Sequence, residues 1–395
     1  MSEILVVGGG FAGVWAAAAA QRLVGDREVS VTLVAPGPDL VIRPRLYQAE
    51  PERMRVPLDR VLGPIGVRRV AATVDAVDAA QGRVRAVGSD GRDFELTYDR
   101  MILATGSRLV RPNFPGAELM HDVDTLPAAT ALDAHLHRLP AGPGACTAVV
   151  VGAGFTGLEI ATELVTRMRA VAGDRRVRVV LVEQAEVVGP ELGPGPRPHI
   201  EAVLAKLGVE QRLSVRVTAV DVDGVTLSDG SHVPAATVVW TAGVQAGPLT
   251  TALPGSRDHL GRLAVDAYLR VPAAPAVYAA GDTAATPDAT DTRVLPCCQH
   301  ALQLGRYAGH NAAADLLGRA PVPFVAEPYV TCLDLGATDA VFTTGWERRV
   351  VATGAAAKER KRNVNERFIY PPVDDPDELL RQADYRFSVR QLART

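Results

Sequence analysis

Two patterns of apolar and polar positions alternate along the chain, and the pair of patterns occurs twice. Ile4, Leu5, Val6 and Val7 form a short unbroken apolar run, as a strand buried on both faces requires, and a glycine cluster follows at 8–13. The Ala-rich stretch 11–23 predicts a helix, and residues 29–34 predict the next strand. Strand, glycine turn, helix and strand in that length make a βαβ unit. From residue 147 the same order returns: a strand over 147–151, a glycine turn, a helix over 155–171 and a strand over 177–182.

Between and after these units the period changes. Residues 36–65 hold six prolines and predict an irregular excursion with short helical pieces. Residues 67–104 alternate and are punctuated by Gln81-Gly82 and Asp90-Gly91, the signature of a β-meander. A second meander is predicted around the turns Asp223-Gly224 and Asp229-Gly230. A repeat of about 145 residues carries its own core, which excludes a solenoid. Proline- and glycine-rich stretches at 112–116 and 248–258 mark the expected crossings between the two halves. A third region, 328–372, predicts strands at 329–335, 340–344 and 350–353, then a helix. The expected fold is α/β: two Rossmann-type dinucleotide-binding domains with β-meander inserts, plus a C-terminal α+β interface domain. The boundaries are 1–115 with 256–320, 116–255, and 321–395.

Composition narrows the function classes. Hydrophobic residues at 47% and charged residues at 22% suit a soluble globular enzyme and exclude a disordered chain. A net charge of −3 gives no bulk attraction to nucleic acid or to an anionic membrane. Cys146, Cys297, Cys298 and Cys332 are too few for a disulfide scaffold and lack metal-ligand spacing, so no metal is expected and a cytoplasmic location is. Ser2 and Glu3 stand where a signal peptide needs basic residues, and no apolar run reaches membrane-spanning length.

The chemistry begins at Gly8-Gly9-Gly10-Phe11-Ala12-Gly13, a GxGxxG string between a strand and a helix. Glycines there allow the tight turn, the close approach of a pyrophosphate, and the packing of helix on strand. The ribose-binding acid expected at the end of the next strand is missing, because that position holds Ala35. The second string is Gly152-Ala153-Gly154-Phe155-Thr156-Gly157, and here the following strand ends in Glu183, placed to accept from both ribose hydroxyls. A carboxylate there repels a 2′-phosphate, which favours NADH over NADPH. Two such turns imply two dinucleotides face to face, with nicotinamide against isoalloxazine for hydride transfer.

Three further motifs carry a resemblance: Ala104-Thr105-Gly106 after the first meander, Trp240-Thr241-Ala242-Gly243-Val244 after the second, and Ala279-Ala280-Gly281-Asp282 after a strand. Over roughly residues 1–320 the chain resembles the two-dinucleotide-fold flavoproteins of the pyridine nucleotide–disulfide oxidoreductase superfamily, and within it the type II NADH dehydrogenases. The resemblance implies FAD on the first turn and NADH on the second, with Asp282 binding the flavin ribityl chain and Gly281 letting the backbone approach the flavin. Arg43-Pro44-Arg45-Leu46-Tyr47 resembles the family's proline-containing segment beside the flavin. Cys298-Gln299-His300-Ala301-Leu302-Gln303-Leu304-Gly305 resembles its AQxAxQxG quinone-site motif, which assigns Gln299 and Gln303 to the acceptor; Cys298 replaces the motif's alanine. Read physically, the two amides lie four apart on one helix face and can hydrogen-bond a carbonyl-bearing acceptor. Glu159 matches a family glutamate that points towards flavin and nicotinamide.

Disulfide reductases of the superfamily place a cysteine pair at the equivalent of 36–60 or just after the second glycine turn. Neither region holds a cysteine, so direct transfer from flavin to acceptor is expected. Cys297-Cys298 is read as packed thiols at a helix start, where the dipole can lower a thiol pKa. His300 is either a packed side chain or a proton donor to the reduced acceptor. The run Lys358-Glu359-Arg360-Lys361-Arg362 is read as a solvated helix face, without the aromatic interleaving of a nucleic-acid site. The C-terminal stretch from Asp374 to Arg386, with the basic tail after it, lacks the wide apolar face of an interfacial helix, so no stable membrane anchor is expected. The partner is then a small-molecule electron acceptor, with the third region covering the flavin and available for homodimerisation. Three other readings stay open: a reductase of a redox protein such as a ferredoxin, a biosynthetic tailoring flavoenzyme, and a non-catalytic NAD(H)-sensing flavoprotein.

Overall fold

The computed structural model describes residues 2–139, 142, 144–287 and 293–388; the basic tail beyond lies outside the described residues. A seven-stranded sheet runs in the order Val277–Ala279, Arg100–Leu103, Ser2–Val7, Val29–Ala35, Arg68–Asp78, Arg83–Gly88, Asp93–Thr97. Its first five strands pair in parallel and the last two antiparallel. The stretch 67–104 is therefore only partly a meander. Arg68–Asp78 begins beside Val29–Ala35 and then turns into the hairpins, whereas Arg100–Leu103 returns to pair with the N-terminal strand. Burial on both faces explains the unbroken apolar run at 4–7, where all four side chains are buried.

The second half holds a four-stranded parallel sheet in the order Val209–Arg212, Arg178–Val182, Thr147–Val151, Thr237–Trp240. A three-stranded antiparallel sheet, Val217–Asp221, Gly224–Leu227 and His232–Pro234, accompanies it. Where the chain passes between the halves, Ser107–Leu109 pairs antiparallel with Val244–Ala246, so the two passages are zipped to each other.

In the first half, helix Phe11–Val24 packs on helix Cys298–Leu316. Small residues set the separation: a Cβ on Gly305 would stand 2.4 Å from Ala12 O, and one on Gly309 2.1 Å from Ala16 O. The crossing brings Gly305 against Ala12 of the first glycine turn. The third region forms an antiparallel sheet, Val330–Asp334, Ala340–Thr344 and Arg349–Thr353, followed by helix Gly354–Asn363. Among the described residues no helix is long and apolar enough to cross a membrane, and no cluster of three or more metal-ligating side chains occurs.

Candidate functional site: two glycine turns and a buried ion pair

The first glycine turn sits between strand Ser2–Val7 and helix Phe11–Val24. Gly8 has φ +121°, and a Cβ there would stand 2.3 Å from Ala104 O. A Cβ on Gly13 would stand 1.8 Å from Gly8 O, so the helix can start this close to the strand only with glycine. No side chain caps the helix at Gly10 and no acid lies in its first turn, and a Cβ on Gly10 would face open space. The N–H groups of this end thus stand free for an anion, helped by the helix dipole.

Around that turn gather Ala104, Thr105 and Gly106 from one strand end and Gly281 and Asp282 from another. The Thr105 hydroxyl is buried with no hydrogen-bond partner. Ser107 Oγ donates to Asp282 Oδ2 at 2.6 Å, and Arg43 donates to the Ser107 carbonyl at 3.1 Å and to its hydroxyl at 2.9 Å. Arg43 also pairs with Asp124 and lies 4.0 Å from Asp282 Oδ2. The open helix end, the orphaned hydroxyl and the anchored carboxylate fit a dinucleotide with polyol and phosphate groups.

The second turn repeats the first. Gly152 has φ +101°, and a Cβ on Gly157 would stand 1.8 Å from Gly152 O. Thr241 Oγ1 donates to Val151 O at 2.9 Å, which ties the 240–244 motif, including Gly243 at φ +81°, to this turn. Glu183 is buried; its Oε2 accepts from Ala153 N at 2.7 Å and its Oε1 from Ala185 N at 2.9 Å. Two backbone bonds fix the carboxylate beside the turn and leave lone pairs for ribose hydroxyls. Ala35, its counterpart in the first half, packs against Gly9, where an added Cβ would lie 2.8 Å from Ala35 Cβ.

Helix Phe155–Ala172 carries Glu159 one turn from its start, where it is buried. Glu159 Oε1 accepts from Lys361 Nζ at 2.7 Å and from Asp334 N at 3.0 Å. Burial pushes its carboxyl up to about 7, outweighing the pull of Lys361. Asp334 accepts from the Tyr47 hydroxyl at 2.7 Å and pairs with Lys358. Three distant parts of the chain therefore meet in one buried polar network.

Residues 2–305 match the family model for the pyridine nucleotide-disulphide oxidoreductases. The chain belongs to that family.

An NADH dehydrogenase-like protein of Mycobacterium tuberculosis is 47% identical over 386 residues, covering 95% of this chain and 96% of the relative. A type II NADH:quinone oxidoreductase of the same organism is 30% identical over 345 residues, 78% of this chain and 70% of the relative. The solved structure of NDH2 from Plasmodium falciparum in complex with NADH matches with a TM-score of 0.78, at 12% identity, over 93% of this chain and 95% of that one. The oxidoreductase is a flavoenzyme that uses FAD and oxidises NADH.

On helix Cys298–Leu316, Gln299 and Gln303 share one face, and that face meets residues 327–330. Gln299 Nε2 donates to Pro328 O at 3.3 Å and its Oε1 accepts from Val330 N at 3.4 Å. Buried Gln303 accepts from Glu327 N at 2.9 Å. The amides thus hold the segment that enters the third region, with the long bonds of Gln299 the easier to exchange.

One expectation needs correction, and two readings that stood open are narrowed. Lys361 is not solvated: Ala357 and Lys361, four apart, face inward, and only Glu359, Arg360 and Arg362 of the run are exposed. His300 is buried and stacks on Tyr329 at 5.1 Å, and burial lowers its pKa to about 4, which favours the packed side chain of the two readings. Cys297 and Cys298 are free thiols whose pKa values rise through burial, overriding the helix dipole. Sequence reasoning also missed Asp334 and Ser107 as partners of the site, and it gave Tyr47 only as part of the 43–47 segment. The inward i, i+4 spacing of Ala357 and Lys361 was the one local signal for the lysine.

Proposed function

We propose that this oxidoreductase delivers the electrons of NADH to a quinone-like small molecule at the face of helix Cys298–Leu316. FAD would be held by residues 1–115 with 256–320, NADH by residues 116–255, and residues 321–395 would cover the flavin. Bound flavin supplies the two-electron chemistry that links the donor to the acceptor.

The chain's own residues supply the rest. The glycine turn Gly8–Gly13 and the helix behind it bind the FAD pyrophosphate, and Asp282, held by Ser107 and Arg43, accepts from the polyol chain. Gly152, Gly154, Phe155, Thr156 and Gly157 do the same for NADH, with Glu183 on the ribose. Gln299 and Gln303 orient the acceptor carbonyl.

The buried Lys361–Glu159 pair carries the acceptor reading. Reducing a quinone takes up protons, and a buried carboxyl titrating at about 7 holds or releases one near neutral pH. Cys298, on the acceptor helix, feels the charges of both Lys361 and Glu159. The M. tuberculosis relative named as a quinone oxidoreductase supports the same acceptor class. Steady-state turnover with NADH and a panel of quinones, one-electron acceptors and oxygen tests it: quinones should give the highest kcat/KM. Preference for a one-electron protein acceptor would overturn it.

A further inference from the structure

The two glycine turns differ in one respect that their sequences do not announce. At the first, the helix end is open. At the second, the Oε1 of Glu191 accepts from Phe155 N, the first N–H of helix Phe155–Ala172, at 3.2 Å. The same oxygen lies 2.7 Å from where a Cβ on Gly154 would stand. A carboxylate therefore sits where the dipole and the N–H of that helix would receive a phosphate.

The segment carrying Glu191 is held in place. Gly189 N donates to Ala153 O at 3.0 Å, inside the glycine turn itself, and Leu192 N donates to Gly189 O at 2.9 Å. Leu192 is buried, while Glu191 beside it is exposed. Gly189 and Gly193 flank the short 3₁₀ turn Pro190–Leu192 with φ of +56° and +74°. The backbone is thus pinned, and the carboxylate alone is free to swing into solvent.

We propose that Glu191 is an internal competitor for the pyrophosphate of the pyridine nucleotide, holding the Phe155 N–H until the incoming phosphate displaces it. This rests on the second glycine turn being the NADH site. One N–H cannot serve both anions, and two like charges at one helix end repel. Any ligand that brings a phosphate here must break the Glu191 bond, and any ligand that lacks one leaves it intact. Glu191 so weakens NADH and NAD⁺ through the part they share and leaves the adenosine contacts alone. It favours release of the oxidised nucleotide after hydride transfer.

Equilibrium titration of the FAD-loaded protein with ADP-ribose, and with adenosine as the phosphate-free probe, tests this without turnover. Glu191→Ala should tighten ADP-ribose by about fivefold, the size of an anion's interaction with a helix end. Glu191→Gln, which keeps the acceptor oxygen but not the charge, should fall between it and the parent, and adenosine should bind all three alike. Gly154→Val, whose side chain fills the phosphate position, should abolish ADP-ribose binding. Loss in Gly154→Val together with unchanged or weaker binding in Glu191→Ala overturns the competitor. Equal tightening of adenosine overturns it too. Binding that survives Gly154→Val overturns the assignment of this turn, and the competitor with it.

Discussion

Lys361 Nζ donates to Glu159 Oε1 at 2.7 Å, with both side chains buried and 202 residues apart in the chain. The pair ties helix Gly354–Asn363 to the start of helix Phe155–Ala172. Removing one member of such a pair leaves an uncompensated buried charge, at a cost of roughly 3–5 kcal/mol unless the survivor neutralises.

Glu159 can neutralise, and that gives a pH signature. Its folded carboxyl titrates at about 7 against an ordinary value of 4.5, so folding takes up a proton between those limits. Its contribution to stability is fully present below 4.5 and is lost as pH rises through about 7. Glu159→Gln should remove that slope, and Lys361→Met should move its upper limit higher, because Lys361 lowers the carboxyl. Thermal denaturation between pH 4.5 and 9 checks both; identical slopes in parent and Glu159→Gln would contradict the assignment.

Glu183 should select NADH over NADPH. Its carboxylate is fixed by Ala153 N and Ala185 N, so it cannot turn away from a 2′-phosphate without breaking both bonds. Exchanging two hydroxyl contacts for repulsion costs about 2–4 kcal/mol, roughly 30- to 1,000-fold in kcat/KM. The ratio of kcat/KM for the two nucleotides, in parent and Glu183→Gln, measures it. An unchanged ratio in the variant would remove Glu183 from the ribose site.

Asp282→Ala should lower the flavin content of the purified protein. The substitution removes the carboxylate that Ser107 and Arg43 hold in place, and it leaves Arg43 paired with Asp124. The ratio of flavin to protein absorbance reads the outcome. Full occupancy in the variant would take Asp282 out of the flavin site.

The glycine turns were legible because steric necessity writes them into the sequence: Gly8 and Gly152 need positive φ, and Gly13 and Gly157 leave no room for a Cβ. Helices and strands around them followed from unbroken apolar runs, since parallel strands covered on both faces admit little else. Lys361 was barely legible because its burial is decided by Glu159, and only its spacing from Ala357 marks which member of the run turns inward. His300 stood open between two readings, and the packed thiols Cys297 and Cys298 were expected with a lowered pKa where burial raises it. Burial sets their chemistry, for His300 against Tyr329, and sequence spacing does not report it. Glu191 gave no signal, because its partner is a backbone N–H 36 residues away.

In the proposed function NADH enters on one side and a quinone-like acceptor leaves with the electrons on the other, at Gln299. Stopped-flow absorbance separates the two half-reactions: flavin bleaching by NADH, then recovery on mixing with a water-soluble quinone. Gln299→Leu should leave bleaching within about twofold of the parent and slow recovery by roughly tenfold, the worth of one or two hydrogen bonds to a carbonyl. Equal damage to both half-reactions, or parent-like recovery with quinone in the variant, would contradict the account.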